Sequence, residues 1–213
     1  MSRSQSLTLP LPLLVDLACE IAEKGERTLL GVTGAPGAGK STITAAIVEA
    51  LGPELAVIVP MDGFHMLNSK LHELNRRDRK GALDTFEVAA YADLLARLKN
   101  QQEELVLAPD FDRTIDAPVA AAVAIHKRVP LVITEGNYLL HKNGGWERVA
   151  PLLSQTWFVL LSDEIRQERL IKRHMSFGMN QEAATAWTLG SDENNALAVR
   201  EDALRADLVI TLA

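Results

Sequence analysis

The sequence predicts an α/β protein, with a mostly parallel sheet covered by helices on both faces. Three observations carry that prediction. Short apolar runs alternate with amphipathic helical stretches along the chain. Two of the runs, 130–134 (PLVIT) and 156–161 (TWFVLL), are apolar almost throughout, the pattern of strands buried on both sides. The length of 213 residues suits one such domain, 1–213, with a small lid, and no stretch rich in Pro, Gly or Ser divides it.

The elements come in order. Residues 13–24 have the spacing of an amphipathic helix. Residues 27–33 (RTLLGVT) read as a buried strand, 40–51 (KSTITAAIVEAL) as a helix and 55–60 (LAVIVP) as a second strand. Helical periodicity runs over 63–74 and 86–99, separated by the charged stretch NRRDRKGALDT. Strands are expected at 105–108, 130–134 and 156–161, with a helix at 163–176 after the last of these. Residues 181–189 and 193–204 are predicted helical, and 207–212 (DLVITL) closes the chain as a strand. No repeat of 20–50 residues and no low-complexity tract is present.

Composition narrows the function classes. Hydrophobic residues make up 47% and charged residues 23%, enough apolar surface for a core without disulfides or structural metal. A net charge of −6 argues against nucleic acid as a partner, despite the local run Arg76, Arg77, Arg79, Lys80. The single cysteine, Cys19, cannot pair within the chain, which fits a reducing compartment. The first residues lack the apolar run and cleavage site of a signal peptide, and no stretch approaches the roughly 20 apolar residues of a membrane span. The expected location is the cytoplasm, with no membrane insertion.

Residues 34–41 (GAPGAGKS) match G-x-x-x-x-G-K-[ST] between a predicted strand and a predicted helix. Gly34, Gly37 and Gly39 let the backbone turn and approach phosphates without a Cβ clash. The amides of Gly34, Ala35, Pro36, Gly37, Ala38, Gly39, Lys40, Ser41 and Thr42 span the expected anion nest and the positive end of the next helix (Pro36 itself lacks an N–H). Lys40 is placed to reach the β- and γ-phosphates of ATP, and Ser41 to place its hydroxyl on Mg2+.

The segments after this loop carry a resemblance. They are 60–65 (PMDGFH), 79–87 (RKGALDTFE), 109–113 (PDFDR), 133–140 (ITEGNYLL), 163–174 (DEIRQERLIKRH) and 206–210 (ADLVI). Together they resemble the P-loop kinases of the uridine kinase, phosphoribulokinase and bacterial pantothenate kinase group. Within it they are most similar to the bacterial branch named nucleoside/nucleotide kinase-like or fructose transport system kinase. The resemblance runs from about Leu29 to Leu212. It implies a three-layer α/β/α P-loop NTPase fold with a small helical lid at about 165–190. It also implies an ATP- and Mg2+-dependent transfer to a hydroxyl of a small metabolite: a sugar such as fructose, a nucleoside or a pantothenate-like acid. Members of the group include dimers, so a homodimer is one implied assembly.

The same resemblance implies roles. Asp62, 22 residues after Lys40 at a strand end, would orient or deprotonate the acceptor hydroxyl, while its residue type also suits a helix cap. Glu135 would hold Mg2+ through water, as an ion that dehydrates reluctantly requires. His65, Asp112, Arg113 and Asn137 would meet the acceptor, although a loop position in solvent serves Asp112 and Arg113 equally well. Arg169 and Arg173 would close over the triphosphate from one helix face, with Arg166 a weaker third. Leu83 and Glu87 depart from the proline and aspartate common in pantothenate-kinase-like relatives. Asn194 and Asn195 precede the last helix, where relatives keep a polar loop near the nucleotide base. A nucleotide switch coupled to a transporter would use the same loop, but would need neither Asp62 nor the PDFDR segment.

Overall fold

The computed structural model describes residues 5–212. Six parallel strands form the central sheet: β1 (Gln5–Leu9), β2 (Thr28–Gly34), β3 (Ala56–Pro60), β6 (Leu131–Gly136), β7 (Gln155–Leu160) and β8 (Leu208–Leu212), ordered β1-β8-β7-β2-β6-β3. β2 sits at the centre, paired with β6 on one side and β7 on the other. Its residues Leu29 to Gly34 are buried on both faces, as the apolar run requires.

Two helices cover one face. Leu14, Ala18 and Ala22 of α1 (Leu11–Glu23) and Ile43 and Ile47 of α2 (Lys40–Leu51) pack on Leu30, Val32, Ile133, Trp157 and Ile210. α4 (Val88–Lys99) covers the other face, where Tyr91, Leu95 and Leu98 meet Leu29, Val132, Tyr138 and Trp146. Alternate strand residues therefore serve alternate layers. Each buried Leu or Ile contributes about 1.5–3 kcal/mol. Among the described residues no helix is long and apolar enough to cross a membrane.

Four departures from the sequence reading have local causes. β1 adds a parallel strand beside β8 that the sequence reading leaves out, its Ser6-Leu7-Thr8-Leu9 alternation being short and ended by Pro10. The stretch 63–74 is not one helix. Met61–Phe64 forms a 3-10 turn, His65 bridges to Phe86, and α3 is confined to Asn68–Glu73. β4 extends beyond 105–108 to Leu105–Asp112 and pairs with an antiparallel β5 at Ala117–His126. The sequence of β5, APVAAAVAIH, is alanine-rich, and alanine gives no strand signal. Finally, α6 (Gln181–Trp187) continues through a π-helical turn at Thr188–Asp192 into α7 (Glu193–Val199), so Gly190 does not break the helix.

The β4–β5 hairpin leans on the 3-10 turn. A Cβ on Gly63 would collide with the Pro109 carbonyl oxygen, closer than any real contact, so only glycine lets the two backbones meet. That contact brings the hairpin tip, 113–116, to the C-terminal edge of the sheet.

Candidate active site

The C-terminal ends of β2, β3 and β6 open into a cleft of about 430 Å³, the place where α/β sheets bind ligands. The 34–41 loop forms one end. Gly37 has φ +79° and packs against the Arg166 carbonyl, where a Cβ would approach to 2.9 Å. Lys40 closes the loop on itself. Its ammonium donates to the Gly34 carbonyl at 2.9 Å, the Ala35 carbonyl at 3.0 Å and Asn137 Oδ1 at 2.8 Å. Those three acceptors use all three of its donors. Burial lowers the Lys40 pKa to about 8, against the opposing pull of Glu135 and Asp62.

Ser41 Oγ lies 2.9 Å from both carboxylate oxygens of Glu135. Burial raises the Glu135 pKa above its ordinary value, with Lys40 and the Ser41 hydroxyl opposing the shift. The pair presents hard oxygen donors beside the phosphate loop, the chemistry a magnesium ion takes. Among the described residues no group of three His, Cys, Asp or Glu side chains could hold a metal. An ion at Ser41 and Glu135 would therefore depend on phosphate oxygens and water for the rest of its shell.

Asp62 lies in the 3-10 turn after β3 and lines the cleft beside Pro60 and Glu135. Arg113, on the hairpin tip, donates from Nη2 to Asp62 Oδ2 at 3.1 Å. His65 points its ring between Phe86 and Phe111, with centroid distances of 4.1 and 4.9 Å, and its Nδ1 is 2.9 Å from the Asp62 carbonyl oxygen. Burial lowers its pKa, so the ring is neutral at pH 7. Asn137 lines the cleft beside Lys40.

The two proposed lid arginines separate. Arg173 lines the cleft, and its pKa is lowered by burial and by Arg113 nearby. Arg169 does not line it, and its Nη1 is 3.5 Å from the point where a Gly39 Cβ would stand, at the outer rim of the loop. Arg166 is 1% exposed and pairs with Glu193 at 2.5 Å and Asp163 at 3.1 Å, while Nη1 donates to the Pro36 carbonyl at 3.2 Å. It holds the phosphate loop in place. Asp112 accepts the Thr114 amide at 2.7 Å within its own turn and does not line the cleft. Thr42 is exposed on α2, outside the cleft lining.

The structure adds residues that the motifs do not reveal. Asp116, a non-glycine residue at φ +50°, accepts from Arg77 at 2.8 Å and sits 3.0 Å from Lys80. Lys80 also donates to Asn68 Oδ1 and stands 4.9 Å from the Phe111 ring centre. The basic run thus divides. Arg77 and Lys80 line the cleft, while Arg76 and Arg79 pair outside it with Asp84. The opposite wall carries His174, Phe177, Met179, Trp187, Asp192 and Asn195.

A parallel sheet with this strand order, a lysine-closed phosphate loop and two carboxylates at neighbouring strand ends define an ATP-dependent P-loop kinase, a phosphotransferase. The model of the Phosphoribulokinase / Uridine kinase family matches residues 29–212, and the chain belongs to that family. It is 30% identical over 210 residues to a Schizosaccharomyces pombe protein named as a candidate uridine kinase, with 92% of this chain and 88% of that protein covered. It is 34% identical over 206 residues to the Escherichia coli protein YggC, with 94% and 85% covered. The crystal structure of a candidate fructose transport system kinase from Silicibacter superposes with a TM-score of 0.82 at 34% identity, covering 92% of this chain and 98% of that one.

Proposed function

We propose that the chain transfers the γ-phosphoryl group of ATP, with Mg2+, to a hydroxyl of a small metabolite, with Asp62 as the proton acceptor. The observation that carries this reading is the position of the Asp62 carboxylate. It stands in the same cleft as Lys40, Ser41 and Glu135, on the side turned to the hairpin, and it pairs there with the exposed guanidinium of Arg113. The loop amides and Lys40 hold the β- and γ-phosphates, exchanging Lys40's present carbonyl partners for phosphate oxygens. Ser41 and Glu135 would hold the magnesium ion, which supplies charge neutralisation when bound. The acceptor O–H gives its proton to Asp62 as its oxygen forms a bond to the γ-phosphorus, and the bond from that phosphorus to the bridging oxygen of ADP breaks. Arg173 supplies positive charge over the transferring group and helps exclude water.

The names of relatives offer a sugar and a nucleoside as acceptors, and both carry a suitable hydroxyl. The cytoplasm is the proposed place of action. The test is ADP release from purified protein with ATP and a panel of sugars, nucleosides and vitamin precursors. Acceptor-dependent release that Asp62→Asn lowers by about a hundredfold or more, with ATP binding retained, supports the reading. Wild-type turnover in Asp62→Asn removes the base assignment. Slow hydrolysis that no acceptor accelerates favours a nucleotide switch instead.

A further inference from the structure

On the wall facing the hairpin, two buried polar side chains have hydrogen-bonding capacity that no protein group uses among the described residues. Asp192 is 8% and Asn195 is 7% exposed, and both line the cleft. Asp192 Oδ2 is 2.7 Å from His174 Nε2, which fixes the carboxylate. Among the described residues, Asp192 Oδ1 and the whole Asn195 side-chain amide have no hydrogen-bond partner. These unpaired atoms open to the cleft rather than being sealed from it, so a ligand's hydroxyls can take the place of solvent on them.

Their placement has a structural cause. The chain enters α7 through the π-helical turn at Thr188–Asp192. One extra residue in a turn rotates the rest of the helix by about 100°, and such turns gather at functional sites. Asp192 and Asn195, three residues apart, stand side by side on the face so produced. They lie at the acceptor end, because Asn195 Nδ2 is 3.8 Å from the Cβ position of Gly81, next to Lys80. The phosphate loop meets different residues, Arg166 at Gly37 and Arg169 and Leu212 at Gly39.

We infer that Asp192 and Asn195 bind neighbouring, non-reacting hydroxyls of the acceptor, and that the acceptor is an uncharged polyhydroxy compound. This rests on the kinase reading above. A carboxylate oxygen only accepts, and an amide both donates and accepts, which matches two adjacent hydroxyls. Charge supports an uncharged acceptor. Setting aside Lys40, Arg173 and Glu135 as the groups for phosphate and metal, the lining cations are Arg77, Lys80 and Arg113, and the lining anions are Asp62, Asp116 and Asp192. These groups are already partnered, Arg77 and Lys80 with Asp116, Arg113 with Asp62, and Asp192 through one oxygen with His174. A carboxylate or phosphate on the acceptor would face the unpaired oxygen of Asp192. Phe111, with His65 and Phe86 packed behind it, gives this end of the cleft an aromatic lining for the C–H side of a sugar ring. A free sugar and the ribose of a nucleoside share this chemistry.

The experiment measures KM and kcat with ATP for free sugars, nucleosides, single-deoxy counterparts of each, and hydroxy acids including pantothenate. It compares wild type, Asp192→Asn and Asn195→Leu, each first checked for a wild-type circular dichroism spectrum. The expected preference is for an uncharged acceptor with adjacent hydroxyls, and the sugar and nucleoside arms separate the two sources. Removing one non-reacting hydroxyl, or making either substitution, raises the acceptor KM about tenfold or more, with the KM for ATP within about twofold of wild type. Preference for a charged acid overturns the inference, as does a rise in the KM for ATP instead. If acceptor-dependent turnover is lost in Asp62→Asn but untouched in both wall variants, the inference fails and the kinase reading stands. If no acceptor accelerates ADP release, the kinase reading fails and takes the inference with it.

Discussion

Arg166 shows how a single residue can matter without meeting substrate. It is buried among Pro36, Asp163 and Glu193, and it links the phosphate loop to the first turns of α5 (Asp163–Ser176) and α7. From the sequence it is one of three arginines on a basic helix face, and helical spacing alone cannot say which one points inward. The packing decides it, because position 166 faces the loop with Leu170 one turn later. Arg166→Met removes the cation and leaves Glu193 and the Pro36 carbonyl with lost partners. The expected loss is about 3 kcal/mol, read from the denaturant midpoint, because breaking a buried pair from one side leaves uncompensated charge. The KM for ATP should rise with it as the loop loosens. An unchanged midpoint would show that the network carries no stability. Arg169→Ala, at the exposed outer rim, should change stability by less than about 0.5 kcal/mol.

At the scale of elements, the hairpin is the part that sequence periodicity hides. The cleft residues Phe111, Arg113, Thr114 and Asp116 all sit on it or at its tip. The motif PDFDR marks the segment but not its geometry. Asp112 turns back to cap Thr114, while Asp116, which no motif flags, faces the cleft from a left-handed backbone position. Hairpin position depends on Gly63. Gly63→Ala drives a Cβ into the Pro109 carbonyl, and the expected result is a loss of about 1–3 kcal/mol with a raised acceptor KM. The loop carbonyls that hold Lys40 are untouched, so the KM for ATP should change less. The same docking gives a pH signature. The His65 pKa is lowered by burial, so between that lowered value and about 6.5 the unfolded chain binds the extra proton and the folded one does not. Stability is therefore fully present above pH 6.5 and falls as pH drops through this window. His65→Gln should lose less melting temperature between pH 7 and pH 5.5 than wild type does. An equal loss would place the acid sensitivity elsewhere.

For the whole molecule, five of the six central strands and the phosphate loop were legible because each rests on a local signal: short apolar runs, and a glycine-lysine-serine spacing between a strand and a helix. The rest of the cleft was legible only in part: the motifs pointed to Asp62, His65, Arg113 and Asn137, all of which line it, but not to the contributions of the 77–81 turn, α5 and the π-turn. Their spacing in sequence carries no information about their meeting in space. The division has a thermodynamic consequence. At the phosphate end Lys40 is held by two loop carbonyls and Asn137, and Ser41 by Glu135, but no three-ligand metal cluster stands among the described residues. Magnesium alone should therefore leave the melting temperature within about 1 °C, whereas ATP with magnesium at about 100 times Kd should add about 2.7 kcal/mol, or some 5–11 °C for a chain of this size. A chelator should remove part of that gain, and Ser41→Ala should remove the same part while leaving little for the chelator to take. The measurement is a thermal melt with each component added singly and together. A large shift with magnesium alone would reveal a metal site independent of nucleotide. Equal shifts for ATP with and without the ion would take Ser41 and Glu135 out of metal binding, leaving their 2.9 Å contact a purely structural one.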